Sequence, residues 1–203
     1  MRVLVTGAAG MIGRKLTERL AAEGHLGGKA LTALILHDIV APPRPDVAIP
    51  VIDLASDFAD PATAEELIGH RPDVVFHLAG VVSGTAEANF DLGYAVNLDG
   101  TRRLFDAIRL SGLHPRVVYA STAAVFGGPF PDVVPDDFAP TPLSSYGSQK
   151  LIGEVILSEE VSWFRLPWMK PMTDEACIAE ALDQLWYDRF EPPSNTTYRV
   201  RDP

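Results

Sequence analysis

Short apolar runs alternate along this chain with stretches in which apolar side chains recur every three or four positions, and the two patterns predict alternating strands and helices. The strand-like runs are Arg2 to Thr6, Leu31 to His37, Pro50 to Ile52, Asp73 to Leu78 and Arg116 to Ala120. Between them Leu16, Leu20 and Ala21, then Pro61 to Ile68, then Arg102 to Leu110 follow helical spacing, and a last helix is predicted around Tyr146 and Lys150. A run such as Asp73 to Leu78, apolar at nearly every position, belongs in a sheet covered on both faces. Four strand–helix units in succession with short connections predict an α/β fold, a doubly wound parallel sheet with helices on both sides. In that architecture ligands bind beyond the carboxyl ends of the strands, so the residues found there are the candidate site.

The first such end is the most informative. Gly7, Gly10 and Gly13 follow the first strand at three-residue spacing and lead directly into the first helix. Glycines let the backbone bend sharply and allow a pyrophosphate to approach the helix N-terminus, where free N–H groups and the helix dipole favour an anion. A strand, a glycine turn and a helix at the start of a doubly wound sheet predict a Rossmann-type dinucleotide site. Asp38 ends the second long strand 25 residues after Gly13, where a dinucleotide fold places the carboxylate that receives the adenine-side ribose hydroxyls. Ile39-Val40-Ala41-Pro42-Pro43 offers no arginine beside it for a 2′-phosphate, so NAD is expected over NADP. Asp53, after the third strand, is read either as an adenine partner or as the cap of the next turn. His77, at the end of the fourth, is read as a satisfied, partly buried histidine. Ala79-Gly80 lets the chain pass close to the cofactor, and Ser121-Thr122 supplies two hydroxyls at the end of the fifth strand.

Composition narrows the partners. In 203 residues, 17 basic side chains stand against 27 acidic ones, a net charge of −10 that repels a phosphate backbone, so nucleic acid is not expected. No apolar run is long enough to span a bilayer, and Met1 leads straight into the first strand without a leader pattern, which predicts a cytoplasmic protein. The single cysteine excludes an internal disulfide, and the five histidines show no metal-ligand spacing, so no metal is expected.

Tyr146 and Lys150 lie four apart and share one face of their helix. A free tyrosine ionises near pH 10 and is a poor base at neutrality, but a neighbouring ammonium stabilises the phenolate, and the nicotinamide's positive charge adds to it. Such a phenolate accepts the proton of a substrate hydroxyl while hydride leaves for the cofactor. The glycine turn, Asp38, Phe76-His77-Leu78-Ala79-Gly80, Asn97-Leu98-Asp99-Gly100-Thr101, Ser121-Thr122-Ala123-Ala124-Val125-Phe126-Gly127 and Tyr146-x-x-x-Lys150 together resemble the extended short-chain dehydrogenase/reductases, a group that includes nucleotide-sugar epimerases and dehydratases. Within it, Val81 to Gly93 is similar to members that oxidise C2 of a four-carbon sugar acid with NAD. The resemblance implies Tyr146 as base, Lys150 on the nicotinamide ribose, Thr122 or Ser121 orienting the hydroxyl, and Ser83, Thr122 and Tyr146 touching substrate. It implies a cofactor groove lined by Gly7, Gly10, Met11, Ile12, Gly13, Asp38, Asp53, Leu54, Leu78, Ala79, Gly80 and Asn97, together with Tyr146 and Lys150. It also implies a homodimer paired through the helices after Asn97 and Tyr146, whose apolar residues include Leu98, Leu104, Ile108, Leu151, Ile152 and Ile156.

The resemblance covers residues 1 to 160, read as an NAD-binding domain, and stops where such enzymes continue into a small substrate lobe. Residues 161 to 203 are read as an atypical tail. It holds all three tryptophans, and Thr173 or Asp174 is read as the cap of a helix with the stripe Ile178, Ala181, Leu182, Leu185, Trp186. A sugar-acid carboxylate calls for a bidentate arginine, and the tail is expected not to build one. The chain is therefore expected to bind NAD but to turn over more slowly than a longer relative.

Overall fold

The computed structural model describes residues 1–135 and 138–163. In chain order they form β1 (Arg2–Thr6), α1 (Met11–Glu23), a two-residue pair β2 (His25–Leu26) and β3 (Lys29–Ala30), β4 (Ala33–Asp38), β5 (Val51–Ala55), α2 (Pro61–Gly69), and β6 (Val74–His77). Short helices α3 (Ser83–Ala88) and α4 (Phe90–Gly93) follow, then a π-helical segment, Tyr94–Gly100, that runs into α5 (Thr101–Ser111). β7 (Arg116–Tyr119), a 3-10 turn at Ala123–Val125 and α6 (Ser145–Trp163) complete the described chain.

The long strands make one parallel sheet in the order β5-β4-β1-β6-β7. The chain winds outward from β1 through β4 to β5, then crosses back to β6 and β7. The winding reverses between β1 and β6, and that reversal opens the crevice in which a doubly wound sheet takes its ligand.

Strand alternation explains why the core divides in two. Val3, Val5, Leu34, Leu36, Val74 and Phe76 face α1 and bury Leu16 and Leu20, while Leu4, Ile35 and Val75 face the other way onto Leu67, Ile68, Leu104, Phe105 and Ile108. With both faces covered, every residue of β6 is buried, which is why its sequence lacks a polar alternation. Each such side chain withdrawn from water contributes about 1.5–3 kcal/mol before its entropy cost.

Several boundaries differ from the sequence reading. The glycine-rich stretch after α1 ends the helix, with Gly24 at φ 68° donating to the Leu20 carbonyl, but then folds into the small antiparallel pair β2–β3. The third long strand continues to Ala55, so Asp53 sits inside β5 opposite Leu36 and neither ends the strand nor caps a turn. The cap of α2 is Asp60, which accepts from the Ala62 N–H, with Pro61 at the first helical position. The helix expected from Arg102 is continuous with turns beginning at Phe90, and the polar Asn97 and Thr101 within them are fully buried. Leu104 and Ile108 are spent in this core, so the apolar side chains left exposed for pairing on the two helices include Leu110, Ile152 and Val155. The helix expected over 173–186 lies outside the described residues. No described helix is long and apolar enough to cross a membrane.

Candidate functional site

The glycine turn is built by backbone meeting backbone. Gly7 has φ 73°, and a Cβ there would stand 2.7 Å from the Leu78 carbonyl carbon at the end of β6. A Cβ on Gly13 would stand 2.1 Å from the Gly7 oxygen, so α1 starts in direct contact with the turn. Gly10 caps α1 without any side-chain bond, and no acidic residue enters the helix's first turn. The opening N–H groups of α1 therefore face the crevice with no intrahelical partner and no competing carboxylate. Met11 and Ile12 are exposed beside them. Asp38 closes the turn from β4: one carboxylate oxygen accepts from the Ala9 N–H at 2.8 Å and the other from Ile39 N–H at 2.7 Å. Each oxygen keeps a lone pair for a ribose hydroxyl. This cradle fits a dinucleotide pyrophosphate and its adenine-side ribose.

Not every candidate joins it. Asp53 is exposed on the edge strand and ion-paired with Arg44 at 2.8 Å, and Leu54 is half-buried beside His37 in the ladder. Asn97 is fully buried with its amide turned to protein: its oxygen accepts from Val81 N–H, and its nitrogen donates to the Val81 carbonyl and to Gln149 Oε1 at 2.9 Å. It holds the Ala79-Gly80-Val81 loop against α6. Ser83 is exposed at the start of α3.

His77 is wholly buried, further than the partial burial read from sequence, and its hydrogen bonds determine its tautomer. Thr101 donates its hydroxyl hydrogen to the Asn97 carbonyl at 2.7 Å, so its oxygen receives the His77 Nε2–H at 3.0 Å. His77 Nδ1 then accepts from Thr6, whose oxygen accepts from Ala79 N–H. Burial lowers the His77 pKa well below the usual histidine value, and the Lys150 and His37 charges push the same way. A neutral imidazole with both nitrogens engaged is structural support beneath the crevice, not an acid or base.

The candidate reactive groups lie at the ends of β6 and β7. Lys150 is buried, donates to the Ala120 carbonyl at 3.1 Å, and lies 4.9 Å above the Tyr119 ring. A Cβ on Gly80 would stand 3.3 Å from its ammonium, so the β6 loop is in contact with it. The same carbonyl precedes Ser121 and Thr122. Thr122 Oγ1 accepts from Ala124 N–H, which leaves the hydroxyl hydrogen to point at a bound oxygen. Ser121 instead donates to Glu154, so of the two hydroxyls Thr122 is the available one. Tyr146, one turn before Lys150, is half-buried, and its hydroxyl has no hydrogen bond among the described residues. Tyr119 is also close to Lys150, but it is largely buried, and burial, Glu154 and Tyr146 push its phenol above the usual tyrosine value, opposite to what a base at neutral pH needs.

Sequence reasoning missed the parts that set this geometry. On α6, a Cβ on Gly147 would stand 2.2 Å from the Ala124 carbonyl oxygen, so the helix rests directly on the turn after Thr122. Glu87 on α3 accepts from the Ser145 hydroxyl and the Tyr146 N–H, both at 2.9 Å. Thr101 left a signal, since it is four residues from Asn97 on one helix face. Glu87 and Gly147 left none, because their partners are remote in sequence.

Burial lowers the Lys150 pKa from 10.5 to about 8. The unfolded chain keeps that proton up to its ordinary value while the folded one releases it earlier, so stability rises with pH through this window. We expect urea unfolding of the NAD-free protein to show a gain between pH 8 and 10 of at most about 3 kcal/mol. Above pH 10 Tyr119 reverses the trend, because the folded phenol keeps a proton that the unfolded one loses. Lys150→Met should flatten the rise; a variant that still shows it would assign the gain to another group.

Residues 3–165 match the family model described as NAD dependent epimerase/dehydratase family. The D-erythronate dehydrogenase of Cupriavidus necator is 48% identical over 163 residues, covering 78% of this chain and 50% of that protein. The enzyme of the same name from Haemophilus influenzae is 35% identical over 159 residues, with the same coverage. The crystal structure of the nucleoside-diphosphate-sugar epimerase from Agrobacterium tumefaciens superposes with a TM-score of 0.79 at 50% identity, over 80% of this chain and 49% of that one. The chain thus spans about half the length of the curated relatives it matches. The match runs from the first strand to the helix of Tyr146 and Lys150 and takes in both halves of the crevice, and on that ground the chain belongs to the NAD dependent epimerase/dehydratase family.

Proposed function

We propose that this chain holds the cofactor and moves the proton for an NAD-dependent oxidation of a secondary hydroxyl in a small sugar acid, D-erythronate to 2-dehydro-D-erythronate. The observation that carries the reading is the convergence at the end of β7: Lys150 on the Ala120 carbonyl, Thr122 with a free hydroxyl hydrogen, and Tyr146 one helical turn away. The choice of substrate is supported by the relative that is 48% identical and is named for D-erythronate.

In this scheme the opening N–H groups of α1 would hold the pyrophosphate and Asp38 the adenine-side ribose. NAD held there would supply the hydride acceptor for the carbinol carbon. Thr122 donates to the substrate oxygen and orients it, and the Tyr146 phenolate takes the hydroxyl proton as the carbonyl forms. Lys150, charged below about pH 8, stabilises that phenolate and would hold the nicotinamide ribose. The buried Thr6–His77–Thr101 chain keeps the floor neutral.

Appearance of NADH on mixing the protein with NAD and D-erythronate tests the reading; no signal with D-erythronate or other four-carbon acids would remove it. A second reading, nucleotide-sugar epimerisation, is favoured by the Agrobacterium neighbour. An epimerase returns the hydride to its substrate, so interconversion of a nucleotide sugar without net NADH distinguishes the two. Pairing into a homodimer belongs to the proposal as well, and light scattering at the mass of one chain would exclude it.

NAD is expected to bind at least tenfold tighter than NADP, a difference of about 1.4 kcal/mol. A 2′-phosphate would meet the Asp38 carboxylate, and Arg44 is engaged by Asp53. Calorimetric titration with both cofactors decides it, and equal affinities would take Asp38 out of the site.

A further inference from the structure

We propose that Glu87 is a positioning residue for Tyr146: its carboxylate, carried by α3, pins the first turn of α6 and ties it to the loop at which Ser83 stands. The proposal rests on the reading of Tyr146 as the base. An N–H in the first turn of a helix has no acceptor within the helix. For Tyr146 that acceptor is Glu87, at 2.9 Å and 59 positions away, and the same oxygen receives the Ser145 hydroxyl. The two hydrogen bonds lower the Glu87 pKa, the Tyr146 N–H first and the Ser145 hydroxyl second, so the carboxylate stays ionised as an acceptor through the neutral range. Further along α6, Gln149 accepts from Asn97, which also grips both polar groups of Val81. The helix is thereby held at two points, one turn apart, by the segment that follows β6. Two points determine its rotation as well as its position, and rotation is what aims a side chain at the first turn. On α3, Ser83 and Glu87 are four apart and share a face. A ligand oxygen bound at Ser83 is consequently linked to the Tyr146 backbone through one short helix.

The test compares the parent protein with Glu87→Ala and Glu87→Gln. Glutamine retains an oxygen that accepts both bonds, whereas alanine leaves the Tyr146 N–H to water. We expect amide exchange at Tyr146, read by nuclear magnetic resonance in the NAD-free proteins, to be at least about tenfold faster in Glu87→Ala and within about threefold of the parent in Glu87→Gln. Exchange at Glu154, two turns on, should not change. In turnover, Glu87→Ala should lower kcat about tenfold with the KM for NAD unchanged, and Glu87→Gln should restore it to within about twofold. Parental exchange at Tyr146 in Glu87→Ala, or equal kcat losses in both variants, would overturn the proposal. The exchange measurement needs no turnover, so it judges the tie to Glu87 even where a fully active Tyr146→Phe protein has already removed Tyr146 as the base.

Discussion

Replacing Tyr146 with phenylalanine is expected to lower kcat by a factor on the order of 10² to 10⁴ while leaving NAD affinity nearly unchanged. The change deletes one oxygen from a half-buried ring and keeps its shape. That oxygen has no hydrogen bond among the described residues, so nothing in the fold is left unsatisfied by its removal. On the proposed mechanism it removes the proton acceptor at the substrate and leaves the groups proposed to hold the cofactor, at α1 and Asp38, untouched. Steady-state NADH formation and calorimetry with NAD, run on the same preparations, separate the two effects. Normal turnover in the phenylalanine protein would sink the mechanism, and a parallel loss of NAD affinity would show that the phenol supports the cofactor instead.

Gly147→Ala should be nearly as damaging, although it adds a single methyl and removes no reactive group. The added carbon would stand 2.2 Å from the Ala124 oxygen and 3.0 Å from its carbonyl carbon. Both belong to the backbone, so no side-chain rotation relieves the overlap, and α6 must lift by about 1 Å to reach ordinary contact. Overpacking of this kind costs about 1–3 kcal/mol in stability. A displacement of about 1 Å at a reacting group costs on the order of 10² in rate. Because Lys150 rides on the same helix, its hold on the Ala120 carbonyl should weaken too, and NAD affinity should fall several-fold with it. Thermal unfolding together with kcat checks this. A variant with the parental melting temperature and rate would mean that the helix does not rest on the Thr122 turn as described.

The two variants probe parts of the site that were unequally visible in the sequence. Tyr146 and Lys150 announce themselves by their spacing, the glycine turn by its place between a strand and a helix, and Asp38 by its distance from that turn. All of these are short-range or periodic signals, and a helix or strand converts them directly into a shared face or a shared end. The parallel sheet and its two-faced core are legible for the same reason, since runs like Asp73 to Leu78 have only one environment that suits them, whereas the strand order comes from the structure. Asp53 shows the limit: its place after a short apolar run selects it in the same way, but β5 continues two residues further and Arg44 claims the carboxylate.

By itself, then, the sequence determined the doubly wound sheet, the dinucleotide turn, and the candidates for base and ammonium, because each is encoded within a few residues by periodicity or by a backbone requirement. Tertiary structure alone decided which hydroxyl is free, since Ser121 is drawn to Glu154 and Thr122 is not. It also decided that His77 is a neutral floor locked between Thr6 and Thr101, that Asn97 braces a loop, and that Glu87 and Gly147 seat the helix of Tyr146. Those contacts join residues as far as 71 positions apart, and no local preference of either partner reports the other. They exist only once burial of the two apolar faces has brought the strand ends to one place.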